Sequence, residues 1–173
     1  GGHLERDLET INNIKTVNQI TNGVQVNSNY RRNWVNTIIC SQLYQNKNID
    51  NIAIWGLTYK PNVKSMKSSP GLYTLDYLYR YPHYDYIKFQ TYDPYNTITR
   101  EDCLSCTCPE DAIHNVDILC ILTADKRYSK LSLENIKQHM KGNIIIDPYG
   151  MLNHEECIKI EFKHFQLGVP IYK

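Results

Sequence analysis

The chain is 173 residues long, is 42% hydrophobic and carries a formal net charge of +1, from 19 basic and 18 acidic side chains. That length suffices for one domain with a real core, and the near-neutral charge gives no electrostatic basis for binding nucleic acid or an anionic membrane. No apolar run approaches the ~20 residues that span a bilayer and no signal-peptide pattern opens the chain; we read it as cytoplasmic and, since it starts at Gly1 without a methionine, as a piece of something longer.

From Ser28 to Gln45 the residues Tyr30, Trp34, Val35, Ile38, Ile39 and Leu43 recur at three- and four-residue steps, which predicts an amphipathic helix. Apolar runs of strand length follow near residues 51–55, 86–92, 117–123 and 143–147. Between them Leu72, Leu75, Leu78 and Tyr79 mark a second helix, Pro109 opens a short helical turn, and Leu133, Ile136 and Met140 mark another helix. Strands separated by helices predict an α/β fold with a parallel sheet and right-handed crossovers. Asn96 to Cys108 reads as a long, mobile loop.

The most informative run is Gly56-Leu57-Thr58-Tyr59-Lys60-Pro61-Asn62, which follows the apolar stretch Ile52 to Trp55. A strand ends at a glycine that can turn sharply, and a loop bearing Lys60, Lys64 and Lys67 leads to Ser69, a candidate N-cap, with Pro70 at the first helical position. In an open α/β sheet ligands sit at the carboxyl ends of strands, and a helix N-terminus with lysine charge suits a phosphate. The competing reading is a solvated surface loop, since clustered lysines are common on surfaces.

Six cysteines are present. Cys103, Cys106 and Cys108 form a C-x-x-C-x-C cluster and Cys157 lies three residues after His154, which are zinc-ligand residue types, but the spacing matches no common zinc module. Reduced thiols in a loop and a following turn are favoured, with an oxidised pair left open, and we expect no metal site. Cys40 and Cys120 sit in apolar stretches and read as small core residues.

Several of these segments resemble, in order, the UDP-binding C-terminal domain of the UDP-glucose/GDP-mannose dehydrogenase family. The Gly56 loop is similar to that family's Gly-Leu-Ala-Phe-Lys-Pro-Asn signature, Thr91-Tyr92-Asp93-Pro94 to its strand ending Tyr-Asp-Pro, and Asp117 to Thr123 to a later strand ending Leu-Thr. Ile144-Ile145-Ile146-Asp147 resembles the next strand, Phe165-Gln166-Leu167-Gly168 a short strand closing on glycine, and Val26-Asn27-Ser28-Asn29 the start of the helix before the domain. The resemblance implies a Rossmann-like parallel sheet flanked by helices at residues 49–173, preceded by a helical segment at 1–48. It also implies an NAD-dependent oxidation of a nucleotide sugar in polysaccharide biosynthesis, a UDP-sugar ligand and a homodimer. Tyr59, Lys60 and Lys67 become the candidate substrate-binding residues, Tyr59 with the alternative of a ring packed beneath the loop. Asp93 and Asp147 could accept from ligand hydroxyls or cap turns, and Asn27 and Asn29 could be polar contacts or helix-start residues.

The departures from the family concern catalysis. Its nucleophilic cysteine lies in a Gly-Gly-x-Cys-Leu-x-Lys-Asp loop, whereas this chain begins Gly1-Gly2-His3-Leu4-Glu5-Arg6-Asp7-Leu8, with no cysteine and too little context to give His3 a role. Ser65-Met66-Lys67-Ser68-Ser69-Pro70 replaces an acidic-Arg-Glu-Ser-Pro segment, so Lys67 keeps the charge but loses the planar fork, and Val169 stands where many bacterial members have arginine. No G-x-G-x-x-G occurs. No catalytic residue is therefore assigned, and NAD is expected in the full-length family enzyme but not on this chain alone. Two readings remain: a nucleotide-sugar-binding part of a dehydrogenase, inactive by itself, or a degenerate, non-catalytic relative serving as a binding or interaction module.

Overall fold

Isoleucine-rich runs build the sheet, because β-branched side chains suit a pleated surface covered on both faces. The computed structural model describes residues 7, 8, 10, 11 and 18–170; the stretch Gly1 to Arg6 compared above with the catalytic loop lies outside them. The strands are β1 (Asn51–Trp55), β2 (Lys88–Tyr92), β3 (Cys103–Ser105), β4 (Ile118–Ile121), β5 (Ile144–Ile146) and β6 (Lys163–Phe165). The helices are α1 (Asn18–Gln45), α2 (Pro70–Tyr79), α3 (Pro109–Ala112), α4 (Leu133–His139) and α5 (His154–Lys159), with 3₁₀ turns at Pro82–Tyr84 and Tyr128–Lys130.

The strands form one six-stranded sheet in the order β3-β2-β1-β4-β5-β6, every pairing parallel. The parallel sheet is Rossmann-like, as expected above, and its winding direction reverses between β1 and β4, which opens a crevice at their carboxyl ends. Period-two alternation divides the core into two layers. Ile52, Ile54, Ile118, Cys120, Ile144 and Ile146 pack with Val35, Ile39 and Leu43 of α1 and Leu75 and Leu78 of α2. Ala53, Trp55, Leu119, Ile121 and Ile145 face the other way, onto Ala112, Ile136 and Cys157 of α3, α4 and α5.

Three elements differ from the sequence expectation. The helix expected from Ser28 is already formed at Asn18, and the turns before Ser28 expose Ile20, Val24 and Val26, so no buried stripe marked them. The supposed mobile loop contains β3, a three-residue edge strand that pairs Phe89 with Cys103 and Thr91 with Ser105 and leaves Leu104 exposed. The chain leading into it is pinned: Arg100 pairs with Asp76 (2.8 Å) and Asp102 (3.1 Å), and the Ser105 hydroxyl donates to the Ile98 carbonyl (2.8 Å). Helix α5 had no apolar periodicity to reveal it, being only His154–Lys159 with a single buried residue, Cys157.

Candidate functional site

The loop after β1 is fixed before any ligand arrives. Gly56 has φ +105°, and an added Cβ would run into the side chain and backbone of Thr123, so the position requires glycine. Its N–H donates to the Tyr92 carbonyl (2.9 Å). One residue beyond Tyr92, the buried Asp93 carboxylate accepts from the N–H groups of Leu57 (2.8 Å) and Thr58 (3.1 Å) through one oxygen. Its other oxygen accepts from Tyr95 (2.9 Å) and Asn96 (3.1 Å). From the opposite side, the Thr123 hydroxyl donates to the Thr58 carbonyl (2.7 Å). The loop then reaches α2, where the Ser69 hydroxyl accepts from the Leu72 N–H (3.2 Å) and Pro70 occupies the first turn, matching the cap read from sequence.

Of the two readings of Asp93 and Asp147, the geometry supports the turn-capping one for both. Asp147 is fully buried; its carboxylate accepts from the N–H groups of Tyr149 (3.2 Å) and Leu152 (2.9 Å) and lies 3.7 Å from Nε2 of His164. Asn27 and Asn29 are exposed in the interior of α1 (Asn18–Gln45) and not at a helix start.

A cleft of about 410 Å³ opens at the carboxyl ends of β1, β4 and β5. Helix α1 contributes Ser28, Arg31, Arg32 and Val35; the β1–α2 loop contributes Tyr59, Ser68 and Ser69; α2 adds Pro70, Tyr73 and Thr74. Leu122, Pro148, Tyr149 and Leu167 complete it from the segments after β4, β5 and β6. Tyr73 donates its hydroxyl to the Asn33 side-chain oxygen (2.7 Å), tying α2 to α1 at this wall. Among the described residues the lining holds two arginines, three tyrosines and no carboxylate. Burial pushes the Tyr149 phenol above its ordinary value, and the Arg31 charge acts in the opposite direction. A wider depression of about 1240 Å³ lies by the amino ends of β1 and β2 and along β3. It mixes Arg100 and Lys88 with Asp76, Asp85, Glu101 and Asp102, so it has neither the single-sign charge nor the switch-point position of the cleft.

Of the three residues singled out from sequence, Tyr59 lines the cleft, 42% exposed rather than packed beneath the loop. Lys60 and Lys67 are exposed and each is one residue from a lining residue, Tyr59 and Ser68. The Lys60 Nζ sits 5.3 Å from the centre of the Tyr59 ring. Arg31, Arg32, Tyr73 and Tyr149 were not identified from sequence. The signal for the arginines was present: Ser28, Arg31, Arg32 and Val35 follow the i, i+3, i+4, i+7 spacing, so one helical stripe changes from apolar to basic as it passes the strand ends.

The cysteines lie elsewhere, all six as free thiols. Cys103 is on β3, and the Cys108 sulfur accepts from the Asp111 N–H (3.4 Å) to cap α3. Burial raises the pKa of the Cys103, Cys106 and Cys108 thiols, which keeps them protonated and weakly nucleophilic. Among the described residues no group of three or more His, Cys, Asp or Glu could hold a metal ion, and no helix is long and apolar enough to cross a membrane.

Residues 53–154 match the model of the UDP-glucose/GDP-mannose dehydrogenase family, UDP binding domain. The chain is 32% identical to a UDP-N-acetyl-D-mannosamine dehydrogenase of Methanococcus vannielii over 140 residues, which are 78% of this chain and 31% of that protein. To a UDP-glucose 6-dehydrogenase of Rickettsia conorii it is 29% identical, over 70% of this chain and 28% of the relative. Its fold is similar to that of the UDP-N-acetyl-mannosamine dehydrogenase Cap5O from Staphylococcus aureus, with a TM-score of 0.64 at 20% identity, covering 89% of this chain and 34% of that one. A TM-score of 0.67 at 16% identity relates it to an NDP-N-acetyl-D-galactosaminuronic acid dehydrogenase from Methanosarcina mazei, over 80% of this chain and 29% of the other. The chain thus spans about a third of the length of these relatives.

Proposed function

Because the chain belongs to the UDP-glucose/GDP-mannose dehydrogenase family and contains its UDP-binding domain, we propose that the switch-point cleft binds the nucleotide of a UDP-sugar, as one part of an NAD-dependent nucleotide-sugar dehydrogenase. The observation that carries this reading is the lining, which among the described residues holds two cations, no anion and three aromatic rings. A pyrimidine can stack on a tyrosine face while a diphosphate faces the positive wall, a pairing that a mixed-sign cleft would penalise. Tyr59 is proposed as a ring contact. Lys60 and Lys67, beside the lining rather than in it, act as outer charges toward the phosphates or the sugar.

The chemistry of oxidation belongs, in this reading, to groups beyond the described residues. No cysteine lines the cleft. A dinucleotide pyrophosphate needs a tight glycine turn from the first strand onto a helix N-terminus, whereas here a stapled connection from Gly56 to Ser69 occupies that position. These residues do not fit NAD, so we assign no hydride step to them and expect no NAD binding to this chain alone. The altered segment Ser65 to Ser69 favours a second reading, a non-catalytic family member retained for binding or interaction.

Calorimetric titration with UDP, UDP-glucose, GDP-mannose and NAD tests the proposal. Saturable binding of UDP or its sugar is expected, without NAD binding, and Lys60→Ala and Lys67→Ala should each weaken it by roughly two- to fivefold at low salt, as exposed charges do. A folded sample that binds none of the uridine nucleotides would overturn it.

A further inference from the structure

We infer that Arg31, on the cleft face of α1, is the principal diphosphate contact of this chain, in place of the lysines of the β1–α2 loop. The inference rests on the UDP-sugar reading of the cleft and assigns its charge. Among the described lining residues the cations, Arg31 and Arg32, both come from α1, while Lys60 and Lys67 fall outside the lining. Among the described residues Arg31 enters no ion pair, whereas Arg100 and Arg127 are each held by carboxylates. Among the described residues no Asp or Glu lines the cleft to compete with an incoming anion for the Arg31 guanidinium.

Arg31 shares the cleft lining with Pro148 and Tyr149 of the turn after β5, and its charge acts to lower the Tyr149 phenol against the effect of burial. That turn is rigid, since the Asp147 carboxylate accepts from the Tyr149 and Leu152 N–H groups. A diphosphate in the cleft meets both Arg31 and the Ser68-Ser69 segment at the start of α2. The planar guanidinium fork suits two phosphate oxygens at once, which an ammonium does not. This supplies from α1 the bidentate charge that Lys67 cannot provide where the family carries arginine. Binding then cross-links α1 to the strand ends, reinforcing the Tyr73–Asn33 bond.

Titrations of the full chain with uridine, UMP and UDP, followed by NMR shifts so that millimolar binding is read, test the inference on the parent, Arg31→Gln and Arg31→Lys. In Arg31→Gln, UDP affinity should fall roughly ten- to a hundredfold, the effect of losing charge-assisted hydrogen bonds, while uridine affinity stays within about twofold. Arg31→Lys should recover part of the loss and make it more salt-dependent. Unchanged UDP affinity in Arg31→Gln, or equal losses for uridine and UDP, would overturn the inference and leave the UDP reading standing. Failure of the parent chain to bind UDP would overturn both.

Discussion

Both oxygens of the Asp93 carboxylate are engaged by backbone, two N–H groups from the loop after β1 and two from the turn that follows β2. Asp93→Ala leaves these donors without a charged acceptor in a buried place, and we expect a loss of about 3 kcal/mol or more in urea unfolding, together with a looser Tyr59 loop. Gly56→Ala should cost at least about 2 kcal/mol by the same measurement, because a positive φ and a collision with Thr123 act together. Asp125 gives a pH-dependent case. Hydrogen bonding from the Arg127 guanidinium (2.6 Å) holds its carboxyl below the ordinary value. A depressed folded value means that the pair's stabilisation is fully present above the unfolded carboxylate range, about pH 4, and is lost as pH falls through the lower folded value. Arg127→Ala should therefore be less stable than the parent at pH 7, by up to about 1 kcal/mol since Arg127 is partly exposed, and the gap should close on acidification. Sequence could name Asp93, Asp147 and Tyr59 but not choose their roles. Two of the four backbone partners of Asp93 lie 35 and 36 residues earlier, which no spacing rule connects.

Helix α1 has two halves with different physics. Its second half buries Val35, Ile39 and Leu43 against the sheet, whereas its first exposes Ile20, Val24, Val26 and Tyr30. Ile39→Ala should cost about 2–5 kcal/mol and Val26→Ala stay within about 0.5 kcal/mol, measured by thermal or denaturant unfolding. The contrast explains what was legible among the elements. Val35, Ile39 and Leu43 show helical periodicity because burial imposes it, and the Ile-rich central strands stand out because both faces are covered. Strand β3 and helix α5 are short and peripheral, so neither needs an apolar pattern. Helix α5 did leave a trace in Asn153 followed three residues later by Glu156, whose N–H the Asn153 side chain accepts (3.0 Å), a cap signal independent of hydrophobicity. The basic stripe of Arg31 and Arg32 was legible in the same way, as spacing, but only the strand order reveals that it passes over the carboxyl ends of the sheet.

Across the whole molecule, two buried cysteines report on the two core layers. Cys120 on β4 packs in the layer covered by α1 and α2, and Cys157 on α5 in the layer covered by α3, α4 and α5. Burial raises both thiols, Cys157 to about 12, so neither has an appreciable thiolate population at neutral pH while the fold holds. A thiol reagent should therefore label Cys120 and Cys157 only through opening of the structure, resolved by mass spectrometry of the labelled peptides. If the helical segment and the sheet domain open as one cooperative unit, the two sites acquire label at rates that rise together with urea. If α1 detaches first, Cys120 reacts ahead of Cys157, and the division between residues 1–48 and 49–173 is then a real mechanical boundary. A ligand bound between α1 and the strand ends distinguishes these cases further. At about a hundredfold over its Kd, UDP should stabilise the bound state by about 2.7 kcal/mol. Protection of both cysteines by that amount identifies one cooperative domain closed by its ligand, whereas protection of Cys120 alone identifies α1 as a separately opening element that the nucleotide latches.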